Sequence, residues 1–137
     1  MEKAPDTPEL HEVLYISTLA PDAPLKVVSD IAQQSRKANA ARDITGLLIF
    51  DGMRFCQQIE GPRQDVLALL ERIRQDARHV NVELLYDGSL ATRRFRRFSL
   101  GYTAVDDVDV LERLEHAPPE QALQQFLSLL SLLDMDG

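Results

Sequence analysis

With 137 residues, 45% of them hydrophobic and 27% charged, the chain has the make-up of one ordinary folded domain, which excludes bulk disorder and leaves no room for two separate cores plus a linker. The 22 acidic against 15 basic side chains give a formal charge of −7, which disfavours generic adhesion to nucleic acid or anionic lipid while still allowing a local basic patch. A single cysteine, Cys56, excludes an internal disulfide and an all-cysteine metal site.

Residues 1–9 hold Pro5 and Pro8 among charges and read as a flexible tail, and Glu2 and Asp6 stand where a secretory leader would be basic and then apolar. Val13 to Thr18 predicts a strand covered on both faces, ended by Pro21 and Pro24. Leu25, Val28, Ile31, Ala32 and Ser35 then fall at helical spacing, for a helix ending near Asn39. The apolar run Ile44 to Phe50, the turn Asp51-Gly52 and the return Arg54 to Ile59 predict a hairpin. Pro62 suits the first turn of a second helix, whose stripe is Val66, Leu69, Leu70 and Ile73. Strands around Val82 to Tyr86 and Phe95 to Thr103 follow.

This order, βαββαββ, describes an α+β ferredoxin-like sandwich: a mixed sheet with two helices on one face, spanning 10–104. A helical extension, 105–137, completes the chain, with helices over Asp106 to Glu115 and Pro119 to Leu133. The stripe Leu123, Phe126, Leu127, Leu130 and Leu133 must either cover the open face of the sheet or meet a partner.

Common enzyme constellations are missing. The six glycines are scattered singly rather than gathered before a helix, and neither serine nor Cys56 lies in a glycine-flanked elbow. His11, His79 and His116 lie far apart without metal spacing, so no metal is expected. More informative are polar side chains at positions that should be buried. Tyr15 interrupts an apolar strand, and Gln57 stands mid-way along the return strand of the hairpin. A buried amide or phenol left unpaired costs on the order of 1 to 3 kcal/mol, so these groups bond to each other, to water or to a ligand.

Read together, Val13-Leu14-Tyr15-Ile16-Ser17, Ser35 with Asn39, Asp43-Ile44-Thr45-Gly46-Leu47-Leu48, Phe55-Cys56-Gln57-Gln58-Ile59-Glu60-Gly61, Asp76-Ala77-Arg78-His79 and Arg94-Phe95 resemble, in this order, the BLUF domain, the sensor of blue light using FAD. The resemblance spans roughly Leu10 to Thr103. It implies a non-covalently bound flavin whose ring lies between the two helices. It further implies that Tyr15 is the photoactive tyrosine, Gln57 the switching glutamine and Asn39 an anchor for the polar ring edge. Arg78 and His79 match a pair at the pyrimidine end, and Ile31 and Ile73 the apolar jaws. Ser35, Arg72 and Asp76 match pocket or rim positions. A carboxamide suits such a role because it carries a donor and an acceptor, which exchange places when the group turns over or changes tautomer.

Blander readings accompany these. Arg78-His79 would also suit the carbonyl pole of the second helix. Cys56 adjoins Gln57, so strand alternation turns it to the other face as a small core residue. Arg93, Arg94, Arg96 and Arg97 invite a nucleic-acid reading, yet such runs are more often solvated edges balancing acidic neighbours. Two departures from the family stand out: Phe98 and Leu100 replace a frequent tryptophan and methionine, and Ala38 precedes Asn39 where some relatives carry a polar group.

The resulting expectation is a cytoplasmic, non-enzymatic blue-light photoreceptor. Its partners would be a flavin (FAD, with FMN or riboflavin able to enter), a separate downstream protein and a second copy of the chain, with no nucleic acid and no membrane. The rival reading is a nucleic-acid-binding or oligomerisation module of the same fold without flavin.

Overall fold

The computed structural model describes residues 9–24, 26–96, 98–102, 109–129 and 134–136. Its elements are β1 (Leu10–Leu19), α1 (Lys26–Ala41), β2 (Thr45–Phe50), β3 (Arg54–Pro62), α2 (Arg63–Gln75), β4 (His79–Leu90), β5 (Phe98–Tyr102), α3 (Asp109–His116), α4 (Pro119–Ser128) and β6 (Asp134–Asp136). The sheet order is β4-β1-β3-β2-β5-β6. β1 lies antiparallel between β3 and β4, and β2 joins β3 antiparallel and β5 parallel. The mixed sheet and the expected ferredoxin-like α+β core are therefore present.

Period-two alternation divides the sheet residues between two cores. On one face Val13, Leu19, Leu48, Phe50, Phe55 and Ile59 pack with Val28, Ile31 and Ala32 of α1 and Val66 of α2. On the other face Leu14, Ile16, Leu47, Ile49 and Cys56 pack with Leu111 and Leu114 of α3 and Ala122, Leu123 and Phe126 of α4. The amphipathic extension thus covers the open face, the first of the two fates its stripe allowed. Leu130 and Leu133 lie outside the described residues, as do the tail before Glu9, residues 106–108 and Thr103.

Several boundaries differ from the sequence reading: β4 runs on to Leu90 rather than ending near Tyr86, and β5 begins at Phe98 rather than Phe95, which leaves Phe95 in the connector. Pro62 is the last residue of β3 and the N-cap of α2, one position before the first turn. β4 begins at His79 rather than Val82, because the backbone turns at Asp76 (His79 N donates to Asp76 O, 3.1 Å) and pairs with Leu19 at once. β6 pairs antiparallel with β5 through backbone groups that the sequence Asp-Met-Asp does not advertise.

Two backbone features shape the centre of the sheet. A Cβ on Gly46, whose φ is +150°, would come within 2.0 Å of the Gln58 carbonyl oxygen, so β2 approaches β3 closely only with glycine there. The β1–β4 ladder shifts register between Leu14 and Tyr15 and again between Ile16 and Thr18. Irregularities of this kind re-aim side chains beside functional sites, and here they flank Tyr15.

Candidate functional site

Between the sheet and the helices α1 and α2 lies a cavity of about 230 Å³. Every site residue singled out from the sequence lines it: Tyr15, Ile31, Ser35, Asn39, Gln57, Arg72, Ile73, Asp76, Arg78 and His79. Gln34, Ala38 and Leu69 join them. Leu69 had been legible as part of the apolar stripe of α2, four residues before Ile73. Gln34 carried no signal beyond its place one residue before Ser35.

Tyr15 and Gln57 are Cα partners across the β1–β3 ladder, and the Tyr15 hydroxyl donates to Gln57 Oε1. Both are buried, at 0% and 3% exposure. Burial, with smaller contributions from Cys56 and Asp76, raises the Tyr15 pKa well above its ordinary value, so the phenol stays protonated and serves as a donor. The bond satisfies one end of each polar group left over from the sequence reading.

Asn39 sits near the C-terminal end of α1, where its carbonyl accepts from Arg42 N (3.1 Å) and Ile44 N (2.8 Å). Asp43, at φ +60°, turns the chain out of the helix through the left-handed region. That turn fixes the buried side chain of Asn39 against the cavity, with its Nδ2 lacking any hydrogen-bond partner. An unpartnered amide donor aimed into a cavity calls for an acceptor from a ligand.

His79 is enclosed by Ser17, whose Oγ lies 2.8 Å from Nδ1, and by the Phe55 ring at a centroid distance of 4.8 Å. Burial lowers its pKa to about 4, with Asp76 opposing and Arg78 assisting, so the ring is neutral at physiological pH. Arg78 does not cap α2. Its guanidinium grips Asp76 through Nε (3.0 and 3.1 Å) and Nη2 (2.7 Å), and its Nη1 donates to Gln34 on α1 (3.0 Å), closing one end of the cavity. The Arg78 hydrogen bond is the main reason that Asp76 titrates below the usual carboxylate range.

Two residues of the basic run after β4, Arg93 and Arg94, bond to acids of the domain. Arg93 Nη2 meets Asp43 Oδ2 at 3.0 Å, and Arg94 pairs with the buried Glu12 through Nε (2.9 Å) and Nη2 (3.0 Å). Two of the four guanidiniums are thus occupied by neighbouring acids. Cys56 is buried in the second core, as strand alternation required. Among the described residues no helix is long and apolar enough to cross a membrane.

The cavity fits a flavin in its chemistry: aliphatic side chains from two helices line it, together with an orphan amide and a tyrosine–glutamine pair. Comparison with known proteins agrees. Blue light- and temperature-regulated antirepressor BluF of Escherichia coli (strain K12) is 35% identical over 105 residues, which are 76% of this chain and 25% of that protein. Photoactivated adenylate cyclase subunit beta of Euglena gracilis is 34% identical over 84 residues, covering 61% of this chain and 10% of that one. The chain therefore spans a quarter or less of the length of these relatives. The dark-state structure of the BLUF protein BlrB superposes with a TM-score of 0.73 at 28% identity, covering 90% of this chain and 98% of that one. The family model for sensors of blue light using FAD matches residues 10–101, and the chain belongs to that family, the BLUF domains.

Proposed function

We propose that this chain is a flavin-loaded blue-light photoreceptor whose Tyr15–Gln57 pair converts light into a changed protein–protein contact, without catalysing turnover of a substrate. The observation that carries the reading is the buried hydrogen bond between Tyr15 and Gln57 in the wall of a cavity that also holds the unpartnered Asn39 amide.

Ile31 from α1 and Leu69 and Ile73 from α2 would clasp the faces of the ring, and Asn39 Nδ2 would donate to its polar edge. The cavity volume of about 230 Å³ falls below the roughly 300–1,000 Å³ of pockets that enclose a whole drug-sized ligand. It therefore suits one ring system, with any phosphate or adenosine part outside. FAD is the expected form on family grounds, and FMN or riboflavin would fit the same ring contacts.

A bound flavin supplies absorption of blue light and, once excited, an acceptor for an electron and a proton. The residues supply the rest. Tyr15 holds its proton against Gln57 Oε1, and burial keeps that proton in place in the dark. Movement of the proton toward Gln57 and back leaves Tyr15 restored and the amide turned over or tautomerised, which interchanges donor and acceptor at the end of the side chain. Gln57 is central in the sheet, opposite Tyr15 on one side and Leu48 on the other. Its neighbour Cys56 touches the core beneath α4, so a strand adjustment reaches the C-terminal helices through one layer of side chains.

The output would be a contact with a separate protein or with a second copy of the chain. BluF is by name an antirepressor and the Euglena relative by name a cyclase subunit, so the sensor occurs beside different outputs. A cytoplasmic location fits the single, buried, unpaired cysteine. The test is the light-minus-dark absorption spectrum of the purified chain loaded with flavin. A reversible shift to longer wavelength is expected, and a chain that binds no flavin, or binds it without a shift, overturns the reading.

A further inference from the structure

On the face of the sheet away from the cavity, a second polar cluster lies buried. Glu12 and Glu60 are Cα partners across β1 and β3, at 1% and 0% exposure. Two carboxylates directly opposite one another repel unless donors stand between them. Gln58, itself fully buried, supplies them: its Nε2 donates to Glu12 Oε1 (3.0 Å) and to Glu60 Oε1 (2.9 Å). Both acceptors are carboxylate oxygens, so the orientation of the amide is set, and its Oε1 is left with no partner.

The same two carboxylates hold the connector between β4 and β5. Glu12 receives the Arg94 guanidinium on both oxygens, and Glu60 receives the backbone N–H of Arg94 (3.0 Å) and of Phe95 (2.9 Å). Thr45 at the start of β2 also donates to Glu60 Oε2 (2.8 Å). The segment entering β5 is thus clamped by two acids that a single amide keeps together. That amide belongs to the residue after Gln57, on the next rung of the same ladder, where Gln58 faces Leu14 as Gln57 faces Tyr15.

We propose that Gln58 is a positioning residue through which a rearrangement at Tyr15–Gln57 alters the grip of Glu12 and Glu60 on Arg94 and Phe95. This inference rests on the photoreceptor reading above. A change in the Tyr15–Gln57 bond alters the local spacing or twist of β1 against β3. The Gln58–Glu12 bond spans those same strands one rung away, so it lengthens or shortens with them. Because Glu12 and Glu60 share the amide, both arms of the clamp respond together, and the β4–β5 connector becomes a second route to the output beside the helices.

The test is amide hydrogen exchange, resolved by NMR, on the flavin-loaded full chain in darkness and under blue light. Illumination is expected to change exchange at the amides of residues 94 and 95 several-fold. Gln58→Met should keep the absorption shift while losing that light–dark difference. Arg94→Lys, which keeps a positive charge beside the buried Glu12 but gives up the two-point grip on its oxygens, should keep the shift and diminish the difference. An absorption shift in the unsubstituted chain with unchanged exchange at 94 and 95, or an undiminished difference in both variants, overturns the relay alone. Absence of the shift in the unsubstituted chain overturns the photoreceptor reading, and the relay with it.

Discussion

Tyr15 and Gln57 face each other as partners on adjacent strands, and the phenol of one donates to the amide oxygen of the other inside the wall of the cavity. Replacing Gln57 by leucine leaves the buried Tyr15 hydroxyl without its acceptor, at a cost of about 1 to 3 kcal/mol, which a folded domain of ordinary stability can bear. Gln57→Leu should therefore leave the fold and the bound flavin in place and abolish the light-induced shift to longer wavelength. A normal difference spectrum in that variant would remove Gln57 from the switch.

Tyr15→Phe fills the same space without a transferable proton. It leaves Gln57 Oε1 without its donor, at a stability cost of about 1 to 3 kcal/mol. Flavin should remain bound, and time-resolved spectroscopy should show a longer-lived excited state with no tyrosine-derived radical. If the variant cycles like its parent, the donor is a different residue, with Tyr86 and Tyr102 the remaining tyrosines.

Asn39 Nδ2 is the cavity's unpartnered donor. Asn39→Ala should weaken flavin binding roughly 10- to 100-fold, the worth of one good buried hydrogen bond. Its fold should hold, because the helix-ending bonds to Arg42 and Ile44 use the backbone carbonyl, which alanine retains. An unchanged affinity in a flavin titration would place the ring elsewhere.

How much of this was legible depended on whether pattern or partner decides a residue's place. Alternation at Val13 to Thr18, the run Ile44 to Phe50 and the stripe Val66 to Ile73 placed the sheet and its two helices, because each element buries a face that its own periodicity announces. Tyr15 and Gln57 stood out as polar groups within apolar strands. The cluster Glu12, Gln58 and Glu60 did not. Reading the hairpin's return strand only as far as Ile59 put Glu60 outside the sheet, and charged residues carry no strand signal. They are buried because each finds donors from Gln58 and the distant Arg94–Phe95 segment, a tertiary fact. His79 was likewise assigned to a cofactor pair but not to a strand, since Arg78-His79-Val80-Asn81 has no apolar alternation and is drawn into β4 by pairing with β1.

Acid should unfold the protein early. His79 has its folded pKa lowered to about 4, chiefly by burial, against 6.5 for the free side chain. Since the folded pKa is depressed, the unfolded state takes up the proton first as pH falls. The stability held by the neutral ring is complete above about pH 6.5 and is lost progressively toward pH 4. Between pH 7 and 4.5 the expected loss is about 2 kcal/mol. Asp76, whose folded pKa is also lowered, adds to the loss at still lower pH as its carboxylate is protonated. Urea denaturation across this range measures the slope, and His79→Gln should flatten it above pH 4.5. An unchanged slope would assign the acid sensitivity to other groups.

The last prediction concerns α4. Leu123 and Phe126 pack with Leu47, Ile49 and Cys56 against the face of the sheet opposite the cavity, and Cys56 is the neighbour of Gln57 in β3. A helix of only ten residues is marginal by itself in water, so its persistence depends on that packing. Leu100 pairs with Leu48 in the parallel β2–β5 register, and Leu48 in turn faces Gln57, so a single row of the ladder runs from Tyr15 through Gln57 and Leu48 to Leu100. A leucine at the end of that row exchanges no hydrogen bonds, which leaves packing and strand displacement as the means by which α4 senses the switch. Illumination should then lower amide protection along 119–129 and change self-association or partner binding, and Gln57→Leu should abolish both effects. Equal protection in light and dark, together with unchanged association, would make α3 and α4 a static cover that completes the second core.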